Sequence, residues 1–243
     1  MKNSIFNTLE KLNLTSKKTK KLFNKGTRDM NDLNVWIDKI SRVIYIDDFY
    51  TGDHSYIEGT YRSKNILSLD TGSPDFEQVT DAKRRFNSNL RFVAGKKVVD
   101  FGCGNGDFLK LIQPYCKEVT GIEMQKDYYD SINSCGIKCY DSLNLIKNQS
   151  LDVVVSFHVL EHLPDPLETL TKIKEKIKKG GLLIIEVPHA NDFLLTSTNN
   201  ENFKKFTLWS QHLILHTRES LYKFLNYIGL KDIQIKGVQR YSL

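Results

Sequence analysis

Apolar and polar positions change their rhythm at about residue 95 of the chain. Beyond it, short apolar runs alternate with amphipathic stretches. The runs lie at Lys97–Phe101, Glu118–Ile122, Lys138–Tyr140, Leu151–Phe157 and 182–187. They are rich in β-branched residues, the composition of buried strands. Residues 107–115, 126–133 and 165–177 carry the helical period between them. In the last, Leu167, Leu170, Ile173 and Ile177 share a face, and Gly180-Gly181 is expected to stop the helix. Such alternation predicts a mostly parallel α/β sheet with helices on both faces. A polar stretch over 191–202 follows, too long for a simple turn. Then comes a helix capped by Thr217, carrying Leu221, Phe224, Leu225 and Ile228 and closed by Gly229. Residues 231–238 alternate as a final strand, with Ile233 and Ile235 on one side, and a closing antiparallel hairpin would be incomplete.

The first 45 residues read as helical. Ile5, Leu9, Leu12 and Leu14 form a partial stripe. Leu33, Trp36, Ile37 and Ile40 form a better one at i, i+3, i+4 and i+7, with Asn31 or Asp32 as its cap. A further helix over 81–92 leads into the first strand. The stretch 47–62 mixes aromatics, acids and glycines without a period, which suits the lining of a cleft or a surface loop. The expected division is a helical extension or cap over 1–90 and the sheet domain over 91–243. The extension could form a lid or a contact between two copies, which leaves the oligomeric state open.

Charge changes this picture little. The chain has 243 residues and a net charge of +6. Residues 1–28 hold eight of the Lys and Arg against one acid, so the remaining chain is nearly neutral. A nearly neutral body argues against nucleic acid as the substrate. No apolar run approaches the ~20 residues of a membrane span. The N-terminus lacks a secretory h-region, so a cytoplasmic location is expected. Cys103, Cys116, Cys135 and Cys139 form no C-x-x-C pair and suit reduced cysteines. The acids and histidines show no consistent ligand spacing, so no metal site is expected.

Candidate chemistry begins at Asp100-Phe101-Gly102-Cys103-Gly104-Asn105-Gly106-Asp107. A buried strand runs into a turn with glycine at every second position, and a helix follows. Glycines let the backbone turn sharply and approach a ligand closely. The spacing is G-x-G-x-G; Asp107 stands where a dinucleotide fingerprint would place its third glycine. Glu123 ends the second apolar run, where an acid can take both hydroxyls of a ribose. These residues together resemble the cofactor site of class I S-adenosylmethionine-dependent methyltransferases. The resemblance implies a Rossmann-like, doubly wound fold. It implies that Asp100, Phe101, Gly102, Cys103, Gly104 and Gly106 lie along the methionine part of S-adenosyl-L-methionine. Glu123 would hold the ribose, Met124 would pack on the adenine, and Asp141 with Ser142 would lie near the adenine amino group.

The run Ser156-Phe157-His158-Val159-Leu160-Glu161-His162 is similar to the strand and V-L-E-H segment of many small-molecule methyltransferases. That likeness places Ser156, Phe157 and His158 nearest the transferred methyl, and gives His162 a packing role. No N-P-P-Y motif is present, which disfavours adenine or amide N-methylation. An alcohol acceptor must lose a proton, and a histidine suits that task. The segment 209–217 resembles one in bacterial sugar methyltransferases where a histidine faces the acceptor. His212 is therefore the first candidate base, with His189 and His158 behind it. The expected reaction is O-methylation of a small polar acceptor, a sugar or sugar nucleotide in capsule or surface-polysaccharide biosynthesis. Two alternatives stand beside it: a nicotinamide-dependent oxidoreductase, and a non-catalytic protein that keeps the fold for binding.

Overall fold

The computed structural model describes residues 2–59 and 74–238. Thr60, Tyr61 and Arg62 of the aromatic stretch and residues 239–243 lie outside them. In chain order the elements are α1 (Ile5–Lys11), β1 (Lys20–Lys25), β2 (Asn34–Asp38), β3 (Ile44–Tyr45), α2 (Asp53–Ile57), α3 (Pro74–Val93), β4 (Lys97–Phe101) and α4 (Asp107–Ile112). There follow β5 (Glu118–Ile122), α5 (Lys126–Ser134), β6 (Lys138–Tyr140), β7 (Leu151–Phe157), α6 (Pro166–Lys176) and β8 (Ile177–Glu186). The chain continues through α7 (Glu201–Thr207), β9 (Ile214–Leu215) and α8 (Arg218–Tyr227).

These elements pack as two compact units, and the division differs from the expected one at residue 90. One unit takes the chain up to Gly52, His158–Thr171 and Val187–Gly237; the other takes Asp53–Phe157 and Lys172–Glu186.

The second unit is built on a five-stranded sheet, order β6-β5-β4-β7-β8. Every neighbouring pair is parallel, so the α/β expectation holds. The first strand of the sheet, β4, is central, and the strand order reverses beside it, where such sheets bind ligands. Strand alternation divides the core in two. Val98, Val119, Val153, Val155 and Phe157 pack with Phe108, Leu109 and Ile112 of α4 and with Phe86 and Leu90 of α3. Val99, Ile122 and Val154 pack on the other side with Leu143 and with Ile173 of α6. Helix α6 ends at Lys176, ahead of Gly180-Gly181, which lie inside β8 instead. There the pairing jumps from Leu151↔Ile177 to Val153↔Leu182, and Gly180 takes φ +78°, so the glycines form a bulge rather than a helix stop.

In the first unit the sequence misled. Residues 1–45 hold one short helix and three strands, not two helices. Strands β1, β2, β3 and β9 form an antiparallel sheet in that order. Val35 and Ile37 are buried with Ile44, Ile46 and Leu215, a period of two along β2. Ile40, which the helical stripe needed inside, is 79% exposed. The stretch 191–202 is a π-helical turn, Phe193–Ser197, capped by Asp192, and then the start of α7. Thr217 caps α8 in a reciprocal capping box with Ser220, as the pattern predicted. Residues 231–238 carry no strand. Ile233 and Ile235 do alternate as half-buried positions, but no ladder partner pairs with them among the described residues. No helix among the described residues is long and apolar enough to cross a membrane.

Close packing beneath the glycine turn generates a test. A Cβ on Gly121, in β5, would lie 2.6 Å from Cys103 Sγ and 2.9 Å from Cys139 Sγ. Gly121→Ala is expected to lower stability by about 1–3 kcal/mol through overpacking. Urea titration of both proteins measures this, and an unchanged midpoint would contradict it.

Candidate active site

Asp100 precedes the turn by two residues and is 3% exposed. Gly102, Gly104 and Gly106 all take positive φ, +78°, +56° and +77°, so the turn needs residues without a Cβ. A Cβ on Gly106 would also meet Ile132 Cγ1 at 2.9 Å. The turn is latched to the end of β5: Gly102 N and Cys103 N donate to Ile122 O at 2.8 and 3.1 Å. Gly104 N donates to Glu123 Oε2 at 2.8 Å, and Gln125 N donates to Glu123 Oε1 at 2.9 Å. One carboxylate thus joins the glycine turn to the start of α5.

The other expected cofactor residues divide by environment. Cys103 turns its thiol inward, 3.9 Å from Cys139 Sγ, so only its backbone lines the turn. The hydrogen bond with Cys139 and burial push that thiol up, which disfavours the thiolate. Phe101 is half-buried against the core on the α6 side. Met124 is exposed, and so is Asp141. Ser142 caps the short helical turn Leu143–Leu145, accepting from Asn144 N at 3.2 Å. Ser156 and Phe157 are buried, and the Phe157 ring packs edge-on against Phe108, centroids 5.1 Å apart.

Sequence reasoning missed the charged group at the end of β8. Arg84 and Arg85 of α3 both reach Glu186. Arg84 binds it in a fork, at 2.9 and 2.8 Å, and also reaches Asp81 at 3.2 Å. Arg85 Nη2 donates to Glu186 Oε1 at 2.7 Å, and its guanidinium lies 4.8 Å from the centre of the Phe157 ring. The available signals were an Arg-Arg pair on the helix before β4 and an acid closing the fifth strand. Burial pushes the Asp100 carboxyl up to about 7; Arg85 opposes the rise and Glu123 adds to it.

A second cluster lies in the first unit. His158 takes φ +57°, a left-handed conformation just past β7, and its Nδ1 is 3.1 Å from Glu161 Oε1. Glu161 is 0% exposed. Burial pushes its carboxyl up, but the His158 hydrogen bond and the charges of His162, His158 and His212 outweigh it and hold it at about 2. His162 Nδ1 donates to Gln211 O at 2.9 Å, and His212 Nδ1 to Thr207 O at 2.7 Å. The two rings lie 5.0 Å apart, each edged by Trp209, over which Arg28 is stacked at 4.1 Å. Burial and then His162 push His212 down to about 3. His189 is exposed and pairs through its backbone with His216; burial and then Arg218 lower it.

The glycine turn after β4, the acid after β5 and the β6-β5-β4-β7-β8 strand order define a class I S-adenosylmethionine-dependent methyltransferase. A family model described as "Methyltransferase domain" matches residues 76–235, and the chain belongs to that family. Among curated proteins it is similar to the ubiquinone biosynthesis O-methyltransferase of Vibrio atlanticus, 30% identical over 122 residues, 46% of this chain and 47% of that protein. The namesake from Aliivibrio fischeri is 26% identical over 166 residues, 62% of this chain and 70% of the relative. The chain spans about half the length of the first of these relatives. Among solved structures, a SAM-dependent methyltransferase from Archaeoglobus fulgidus superposes with a TM-score of 0.51 at 24% identity, over 63% of this chain and 70% of that one. The YcgJ protein of Bacillus subtilis does so with 0.50 at 14%, over 61% and 68%. These two likenesses concern the fold.

The raised Asp100 carboxyl makes stability depend on pH. Its unfolded value is about 3.9. Between about pH 4 and 7 the folded chain keeps a proton that the unfolded chain has released, so this group's contribution falls as pH rises. Asp100→Asn removes that dependence. At pH 8, without ligand, the variant is expected to be more stable than the parent by up to about 3–4 kcal/mol. At pH 4 the two should match. Denaturant midpoints at both pH values check this; a parent as stable as the variant at pH 8 would contradict it.

Proposed function

We propose that this chain transfers a methyl group from S-adenosyl-L-methionine to an oxygen of a small acceptor. One observation carries the reading: the Glu123 carboxylate, tied to Gly104 N and Gln125 N, stands beside a turn whose three glycines all hold left-handed backbone. These residues fit the family's cofactor. The bare backbone of Gly102, Gly104 and Gly106 admits the methionine part, and Glu123 accepts from the ribose hydroxyls. Met124 and Asp141, both exposed, are free to cover and contact the adenine. When bound, the cofactor supplies a methyl group already activated on a sulfonium. The chain's own task is then to hold the acceptor in line, exclude water and take up its proton.

His212, His189 and His158 are the proposed proton acceptors, and their surroundings reorder them. A ring held down at about 3 is a weak proton acceptor, which counts against His212. His158 is hydrogen-bonded to the buried Glu161 carboxylate, the pairing that fixes an imidazole's tautomer and orientation. His158 therefore moves to first place. The acceptor has two proposed classes. The Val-Leu-Glu-His segment and the 209–217 segment favour a sugar or sugar-nucleotide hydroxyl. The likeness to ubiquinone biosynthesis O-methyltransferases favours an oxygen acceptor of that biosynthesis.

The test is an incubation with methyl-labelled cofactor and separate panels of sugar nucleotides and phenolic quinone precursors. Label in one panel selects the acceptor class; label only in amines or nucleic acid would overturn the oxygen reading. Glu123→Ala is expected to weaken S-adenosylhomocysteine binding by about 10- to 100-fold in calorimetry, through loss of about 1.4–2.7 kcal/mol of charge-assisted hydrogen bonding. Stabilisation by NAD rather than by S-adenosylhomocysteine in a thermal-shift experiment would favour an oxidoreductase instead.

A further inference from the structure

We propose that Glu161, His162 and His212 form a binding site for one divalent transition-metal ion. One ligand atom from each lies within 4.8 Å of the other two, although 49 or more residues separate His212 from the pair. With bonds of about 2.1 Å, ligand atoms around a tetrahedral ion sit about 3.4 Å apart. The three side chains need to close by up to about 1.4 Å, within the reach of small χ rotations.

Three independent features prepare the site. Both rings are fixed at Nδ1, each against a backbone carbonyl: His162 at Gln211 O and His212 at Thr207 O. A carbonyl accepts only from N–H, so each Nδ1 carries a proton, and in the neutral ring the lone pair sits on Nε2. Metal-binding imidazoles are held this way, by a carbonyl or carboxylate on the opposite nitrogen. The carboxylate is buried completely, and its Oε2 has no hydrogen-bond partner among the described residues. A buried anionic oxygen left without a donor is costly unless a cation meets it. Finally, the carboxylate is itself oriented, since its Oε1 lies 3.1 Å from His158 Nδ1.

Two imidazoles and one carboxylate select the ion's class. Magnesium and calcium prefer all-oxygen cages, whereas zinc, iron(II), cobalt(II) and manganese(II) accept this mixed set. Three protein ligands also leave at least one coordination position for an oxygen ligand, a water or a hydroxyl; closed structural sites use four. This inference concerns the first unit alone and stands whether or not the methyl-transfer reading holds.

The full-length chain is stripped with a chelator and titrated with zinc by calorimetry and with cobalt(II) by visible absorption. The expected result is about one equivalent bound, with the d–d bands of a low-coordinate cobalt site. The double variant His162→Ala/His212→Ala, checked for folding by circular dichroism, is expected to bind at least about 100-fold more weakly. His54→Ala, an exposed histidine outside the cluster, should bind as the parent does. Should the double variant misfold, Glu161→Gln serves in its place, since it keeps the shape and removes the charge. No binding by the parent, or equal binding by the parent and the folded ligand variants, would overturn the proposal.

Discussion

One carboxylate governs the candidate cofactor turn. Glu123 accepts N–H groups from Gly104 and from Gln125, while the carbonyl of Ile122 accepts those of Gly102 and Cys103. Two consecutive residues at the end of β5 therefore hold three consecutive N–H groups of the turn after β4. Each glycine in that turn carries an entropic cost of roughly 0.5–1 kcal/mol relative to alanine. Charge-assisted hydrogen bonds are about twice as strong as neutral ones, which is how so flexible a segment keeps one shape. The arrangement couples two parts of a ligand site. The acid that the family uses for a ribose also sets the curvature of the backbone along which the rest of the ligand would lie.

Gly121 extends the same constraint downward. It lets Cys103 and Cys139 meet beneath the turn, where any side chain on β5 would collide with both sulfurs. The residue inside the turn that looks most reactive is thus a packing group. Its thiol is spent on the core, and its backbone alone faces the site.

The five-stranded sheet was legible in the sequence because parallel strands covered on both faces are continuous apolar runs, and their ends are marked by glycines and polar residues. Lys97–Phe101, Glu118–Ile122, Lys138–Tyr140 and Leu151–Phe157 were read to the residue for that reason. The antiparallel sheet was not legible. Strand β3 is two residues long and pairs with β9 at Leu215, far along the chain, so no local pattern announces it. Leu33, Trp36, Ile37 and Ile40 matched a helical period by chance, and only the burial of Val35 and Ile37 shows the true one. The Arg84–Glu186 and Arg85–Glu186 pairs were hidden likewise, by the distance in sequence between α3 and β8. The glycine turn and Glu123, by contrast, declare themselves locally, because a left-handed backbone demands a residue type.

Two of the buried carboxyls, Asp100 and Glu161, have opposite outcomes. Burial raises the Asp100 carboxyl to about 7, with Arg85 opposing the rise and Glu123 adding to it. Glu161 faces imidazoles. His158 hydrogen-bonds it, His162 and His212 lie close by, and the charge of Glu161 bears on His216 as well. Four of the chain's six histidines thus converge on one acid. Burial alone raises a carboxyl, so the fall of Glu161 to about 2 measures what surrounds it. His212 and His216 are themselves pushed down, to about 3 and about 4, with burial the largest cause of each. Glu161 Oε1 lies 3.1 Å from His158 Nδ1, whereas its Oε2 has no hydrogen-bond partner among the described residues. A buried anionic oxygen without a donor is costly unless a cation meets it, and His162 and His212 each bring a ligand atom within 4.8 Å of one from that carboxylate group, which is the ground of the proposed metal site.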